Sequence, residues 1–253
     1  MFRRPSFFYT LLVTFPSVLF FGAVAIFLGP LDFVLFPERR PGPIGLWVKK
    51  SWSRWMLKSH GLEIKVTGPG AKNLSKLKSA VFVSNHQSAI DILAHTLILP
   101  SNAHFVAKKE LLWIPVFGWG ARVVGTIFID RKKGARENSL KAVADQLKNG
   151  NSVILYPEGT RSSDAKLKEF KRGAAVMAIE AKVPIVPMTI FNSGKLCPKK
   201  RLSIEPGQIW IYVDEPIDTN NLSENDRFEL TKNIQAIIQE HLSHPPQSLL
   251  ASA

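Results

Sequence analysis

The sequence predicts an α/β fold, a mostly parallel sheet flanked by helices, preceded by an N-terminal membrane-anchoring helical segment. Three observations lead there. From residue 63 onward, short apolar runs alternate with helical patterns, as expected of parallel strands joined by right-handed crossover helices. Residues 6–31 carry no charged side chain. The 253 residues suffice for one substantial α/β domain with its own core, and not for two such domains and an anchor.

The apolar segment is preceded by Arg3 and Arg4 and closed by Pro30 with Asp32. A helix over about 24 of its residues is ~36 Å long, enough to cross a ~30 Å hydrocarbon core. Pro16 divides the segment, so a pair of shorter helices dipping into one leaflet is an alternative to a single span. A cleavable signal peptide ending at Ala23-Val24-Ala25 is a third reading, opposed by the apolar run that continues beyond that site. The anchor is placed at 1–43, the folded domain at 44–245 and a disordered tail at 246–253. Arg39, Arg40, Lys49, Lys50, Arg54 and Lys58 follow the segment, which puts the domain on the cytoplasmic side by the positive-inside rule.

In residues 44–58, Ile44, Trp47, Val48, Trp52, Trp55 and Met56 recur at helical spacing, with Lys49, Lys50, Arg54 and Lys58 mainly opposite. Such a helix either lies in the headgroup layer or turns its aromatics into the domain core. Strands are then expected at 63–68 and 80–84, a helix at about 88–99 and a strand at 104–107. A helical stretch punctuated by Pro115 and Gly118 follows, then a strand at 126–129, a helix at about 136–148 and a strand at 153–156. A helix at about 173–180 leads into a strand at 184–188, whose two prolines suit an edge or closing strand. Residues 203–213, interrupted by Pro206-Gly207, read as a hairpin-like edge. Ser223 and Asp226 form a capping box for a last helix running to about His241.

With 33 Lys+Arg against 20 Asp+Glu, the net charge of +13 calls for a polyanionic partner. No aromatic RNA-reading motif or zinc-finger spacing accompanies it, so a bilayer with anionic lipids is the simpler partner and nucleic acid is not expected. The single cysteine, Cys197, allows no internal disulfide and reads as a small apolar filler.

Chemistry concentrates at a few places. His86 emerges just after an apolar strand, where open α/β sheets present ligands, and Asp91 lies in the first turn of the next helix. A carboxylate at that separation can fix the imidazole tautomer and leave the other nitrogen as a general base. In Tyr156-Pro-Glu-Gly-Thr-Arg-Ser, Gly159 permits a tight approach of backbone to ligand and Arg161 offers a planar fork for phosphate, beside Thr160. Glu158 belongs to this phosphate loop as the carboxylate that holds an arginine or the loop itself. A metal site of Asp91, His95 and His86 is disfavoured, since His95 sits among Ile92, Leu93 and Leu97 and no further ligand spacing follows. No metal or cofactor is expected.

NHQSAID at 85–91, GTIFIDR at 125–131, YPEGTRS at 156–162 and VPIVPM at 183–188 occur in that order. Together they resemble the bacterial 1-acyl-glycerol-3-phosphate acyltransferases, the lysophosphatidate acyltransferase family, over about residues 47–216. The resemblance implies the glycerolipid acyltransferase fold and makes 44–245 an acyltransferase domain. It implies acyl transfer from acyl-coenzyme A or acyl carrier protein to lysophosphatidate, with His86 as base and Asp91 as its partner; the compact layout of the chain points to a bacterial inner membrane. It brings Arg131 to the phosphate pocket with Lys108 or Lys109, and makes Val183, Pro184, Ile185, Val186 and Pro187 line the acyl-donor side. Backbone donors near the start of the Ser88 helix are expected to stabilise the oxyanion. Related acyltransferases with another acceptor, and a non-catalytic protein that binds anionic membranes, are the alternatives.

Overall fold

A computed structural model describes residues 7–37, 41–130, 132, 135–161, 166–199, 201 and 203–245. Arg3, Arg4, Arg39, Arg40, Arg131, Ser162 and the tail from Pro246 lie outside these residues.

Two helices come first, α1 (Phe7–Leu35) and α2 (Pro43–Ser59). α1 is one continuous helix of 29 residues: neither Pro16 nor Pro30 ends it, and it runs on past Asp32. Asp32 is buried instead of closing the segment, and its carboxylate accepts the Ile44 and Gly45 N–H groups at 3.1 and 2.7 Å. Those are two of the orphan donors at the start of α2, held there by a negative charge. At the other end the Tyr9 hydroxyl donates to the Ser59 carbonyl at 2.7 Å. Between them the Trp52 indole donates to Ser17 Oγ at 3.2 Å. α1 is therefore laid antiparallel along the whole of α2.

Seven strands follow: β1 (Leu62–Thr67), β2 (Val81–Ser84), β3 (Ala103–Lys108), β4 (Ile127–Ile129), β5 (Ser152–Leu155), β6 (Ile185–Phe191) and β7 (Gly207–Val213). They form one sheet in the order β1-β7-β6-β2-β5-β3-β4. Every neighbouring pair is parallel except β6 with β7. The helices between them are α3 (Ile90–Ile98), α4 (Phe117–Val123), α5 (Ala135–Lys148), α6 (Gly173–Ala181) and the single turn α7 (Ser193–Leu196), and α8 (Arg227–Ser243) ends the domain. One apolar layer packs α5, α6 and α8 on the sheet, and a second packs α2 and α3 on its other face.

Two expectations fail here. Val183–Met188 does not form an edge: β6 lies between β7 and β2, and all seven of its residues are buried. Pro187 is tolerated because its carbonyl accepts the Asp214 N–H on the β7 side, where ladder pairing begins only at Met188. The absent N–H thus falls at the very end of the β6–β7 ladder, where only the reciprocal bond to Asp214 is forgone. Residues 203–213 form no hairpin either; β7 alone pairs with β1 on one side and β6 on the other.

Candidate active site

β2, β3 and β5 are parallel, so the segments leaving them gather at one edge of the sheet. β2 delivers Asn85 and His86, β3 delivers Lys108, and β5 delivers the loop Tyr156–Arg161. Asn85 fastens the first segment, its amide donating to the Ile190 carbonyl at 3.0 Å and accepting the Ile190 N–H at 2.8 Å.

His86 Nδ1 lies 2.8 Å from Asp91 Oδ2. The same oxygen accepts the Gln87 and Ser88 N–H groups, each at 2.8 Å, and Asp91 is fully buried. A carboxylate oxygen held by two amides faces Nδ1, which orients the ring with its Nδ1–H on Asp91 and leaves Nε2 as the base. The Gln87 and Ser88 amides are thus committed to Asp91 and are not free to act as oxyanion donors.

Glu158 ties the two loops. It is buried, accepting the His86 N–H at 2.7 Å through Oε1 and the Lys168 N–H at 3.2 Å through Oε2. Burial raises its pKa against the pull of those two amides. Among the described residues its partners are these two backbone amides, so it clamps the loop, one of the two roles expected of it. Gly159 turns at φ +73°, in the left-handed region that a Cβ disfavours.

His86 opens into an apolar cavity of about 430 Å³ that also reaches Lys108, Tyr156, Gly159, Thr160 and Arg161. Its walls include Val18 and Phe21 of α1, Trp52 of α2 and Phe117 of α4. Lys109, 54% exposed, pairs with Asp130 at 3.6 Å and does not line the cavity. Lys108 is thus the lysine of that pair that faces the site. The Val183–Pro187 segment is absent from the walls and is largely packed into the core. Arg131 is outside the described residues.

Several features escape sequence reasoning. Tyr156 stacks on the His86 ring, centroids 4.1 Å apart and planes 16° from parallel. The Tyr156 hydroxyl is 3.1 Å from His95 Nδ1, which also lies 2.8 Å from the Asp91 carbonyl. Burial lowers the His95 pKa to about 4, so the ring is neutral. Lys49, placed on the polar face of α2 by periodicity, is buried, with Nζ donating to the Ala103 carbonyl at 3.1 Å; burial, then Lys50, lowers its pKa to about 8. The Tyr156 contact had a signal, an aromatic heading the YPEGTRS loop. Lys49 had none.

A family model described as Acyltransferase matches residues 63–191. The chain is 34% identical over 179 residues to a 1-acyl-sn-glycerol-3-phosphate acyltransferase of Saccharomyces cerevisiae, covering 69% of this chain and 58% of that protein. It is 36% identical over 169 residues to the human 1-acyl-sn-glycerol-3-phosphate acyltransferase alpha, covering 66% and 59%. The chain thus spans under two thirds of the length of these two relatives. The crystal structure of PlsC, the 1-acyl-sn-glycerophosphate (LPA) acyltransferase of Thermotoga maritima, superposes with a TM-score of 0.72 at 28% identity, over 93% of this chain and 95% of that one.

Proposed function

Because the chain belongs to the acyltransferase family, we propose that it transfers a fatty acyl group from an acyl thioester to the free hydroxyl of 1-acyl-glycerol-3-phosphate, giving phosphatidate. The observation that carries this reading is the His86–Asp91 pair opening into one apolar cavity beside Lys108 and Arg161. A base, two cations suited to phosphate and room for a hydrocarbon chain meet at one place.

In this reading His86 Nε2 takes the proton from the acceptor hydroxyl as its oxygen attacks the thioester carbonyl. The C–S bond breaks, and the imidazolium returns the proton to the departing thiolate of coenzyme A or carrier protein. Lys108 and Arg161, with Arg131, hold the acceptor phosphate and so fix the distance between hydroxyl and carbonyl.

The same reading places the protein at a membrane surface, the domain on the cytoplasmic side. Phe8, Leu12, Phe15, Phe20, Phe27 and Val34 of α1 face outward, with Trp47 and Trp55 of α2 exposed beside them. The antiparallel packing of α1 on α2 favours a helix pair lying in one leaflet over a single span. A spanning α1 would carry Lys50, Arg54 and Lys58 of α2 toward the hydrocarbon, at about 2.5–3.5 kcal/mol for each charge taken to its centre.

The test is thiol release and lipid product from purified protein in detergent with oleoyl-coenzyme A and 1-oleoyl-lysophosphatidate, beside His86→Ala. Phosphatidate from the wild type, reduced at least ~100-fold in the variant, is the expected result. Wild-type failure with both this pair and a carrier-protein donor refutes the substrate assignment. Turnover that survives loss of His86 refutes the mechanism.

A further inference from the structure

We propose that Tyr156 is a positioning residue for the catalytic base: its ring supports one face of the His86 imidazole and stabilises the imidazolium that forms during transfer, while His95 braces the phenol from behind. The inference rests on the reading of His86 as base and adds to it a residue of the cavity wall that has no role in that scheme.

Asp91 alone does not immobilise His86. A hydrogen bond at Nδ1 fixes one point of the ring and leaves rotation about the line joining the two groups. The second constraint is the face contact. At 4.1 Å between centroids and 16° between planes, the Tyr156 ring blocks that rotation and keeps Nε2 directed at the cavity. Tyr156 is itself held. It leaves the end of β5, and its hydroxyl lies 3.1 Å from His95 Nδ1. The Asp91 carbonyl 2.8 Å from the same nitrogen can only accept, so Nδ1 carries the proton and shares it between the carbonyl and the phenol oxygen. His95 is fully buried on α3, one turn beyond Asp91. The two elements that hold His86, the α3 carboxylate and the β5 aromatic, are thereby joined to each other through a side chain that never reaches the cavity.

The electrostatic part follows from the geometry. An aromatic face is electron-rich and attracts a cation placed over it. Neutral imidazole gains little from that face, so the stack favours the protonated form. It acts at the stage when His86 has taken the hydroxyl proton, alongside the Asp91 charge. A merely structural Tyr156 has no such preference between the two states.

Two measurements test this, one of them independent of turnover. The His86 Cε1–H signal, assigned by its loss in His86→Ala, is titrated by NMR in the wild type, Tyr156→Leu and Tyr156→Phe. The midpoint in Tyr156→Leu is expected to fall by about 0.5–1 pH unit, whereas Tyr156→Phe, which keeps the ring, stays within about 0.3 unit of wild type. In the acyl-transfer assay Tyr156→Leu is expected to lose about 10–100-fold in kcat with KM for the acceptor within about threefold, and Tyr156→Phe to recover most of that loss. If Tyr156→Leu does not fold, Tyr156→Met replaces it. An unchanged midpoint overturns the proposal, as does a Phe variant as impaired as the Leu variant. Wild-type protein that titrates as expected but makes no phosphatidate refutes the proposed reaction and leaves the stack intact.

Discussion

Glu158 discriminates sharply between a loop clamp and a substrate contact. In Glu158→Gln the side chain keeps its shape and trades one carboxylate oxygen for an NH2 group. The remaining oxygen takes the shorter bond, the 2.7 Å contact to the His86 N–H, which then loses its charge assistance. The NH2 is left against the Lys168 N–H, donor facing donor, where 3.2 Å separated acceptor from donor before. Losing one hydrogen bond to a charged acceptor and weakening another costs about 2–4 kcal/mol of stability. Glu158→Ala abandons both amides at about 1–3 kcal/mol each, toward the lower end where water can reach them. Urea unfolding in detergent measures the loss, and steady-state kinetics with varied lysophosphatidate measure its consequence. Since the clamp places the backbone of His86, kcat should fall at least ~10-fold with acceptor KM changed less than ~3-fold. A tenfold rise in acceptor KM, with kcat and the urea midpoint unmoved, would refute the clamp and restore Glu158 to the substrate.

Asp91→Asn keeps the shape of the fully buried carboxylate but presents an amide that competes for the wrong imidazole tautomer; kcat should drop by roughly 10³–10⁴, the scale known for such a change in an acid–histidine pair, as read from thiol release. Lys108→Ala should raise acceptor KM at least ~10-fold, the worth of one charge-assisted phosphate contact, whereas Lys109→Ala, which only breaks an exposed 3.6 Å pair with Asp130, should change it less than ~2-fold. Acid should unfold the protein partly through His95: burial holds its imidazole at about 4 in the fold, while the unfolded chain protonates near 6.5, so stability is complete above that value and falls by about 3 kcal/mol as pH drops to 4. His95→Phe should flatten the urea midpoint against pH over that window. A Cβ on Gly29 of α1 would overlap the Val123 side chain at the end of α4, so Gly29→Val should cost about 1–3 kcal/mol in thermal or urea unfolding.

Much of the site was legible because its residues stand directly after apolar strands. His86 follows β2 and the Tyr156–Arg161 loop follows β5, so recognising the strands already places these side chains at one edge. The spacing of His86 and Asp91 was informative for a similar reason: both ends of their hydrogen bond lie within one strand-to-helix turn. Contacts between distant segments were not legible. Glu158 reaches an amide 72 positions earlier in the chain, and His95 meets Tyr156 across 61. Neither pairing leaves a periodic trace. Strand order was hidden as well: β5 inserts between β2 and β3, and a two-proline run became a central strand because one proline falls at the end of the β6–β7 ladder.

The misreading of Lys49 shows where amphipathic periodicity breaks down. A helix with one buried face segregates apolar from charged positions, but α2 is covered by α3 on one side and by α1 on another. Its buried arc is wider than its apolar stripe, and a lysine falls inside it. The cover that causes this is the apolar N-terminal helix itself. α1 thus meets α2 and α4 along the domain, supplies cavity wall through Val18 and Phe21, and caps α2 through Asp32. In the lipid-surface reading, the helix that seats the protein in the leaflet also encloses the space for the acyl chain. Substrate can then move from bilayer to cavity past apolar side chains without crossing water, which a flexible tether joining an anchor to a separate domain would not provide.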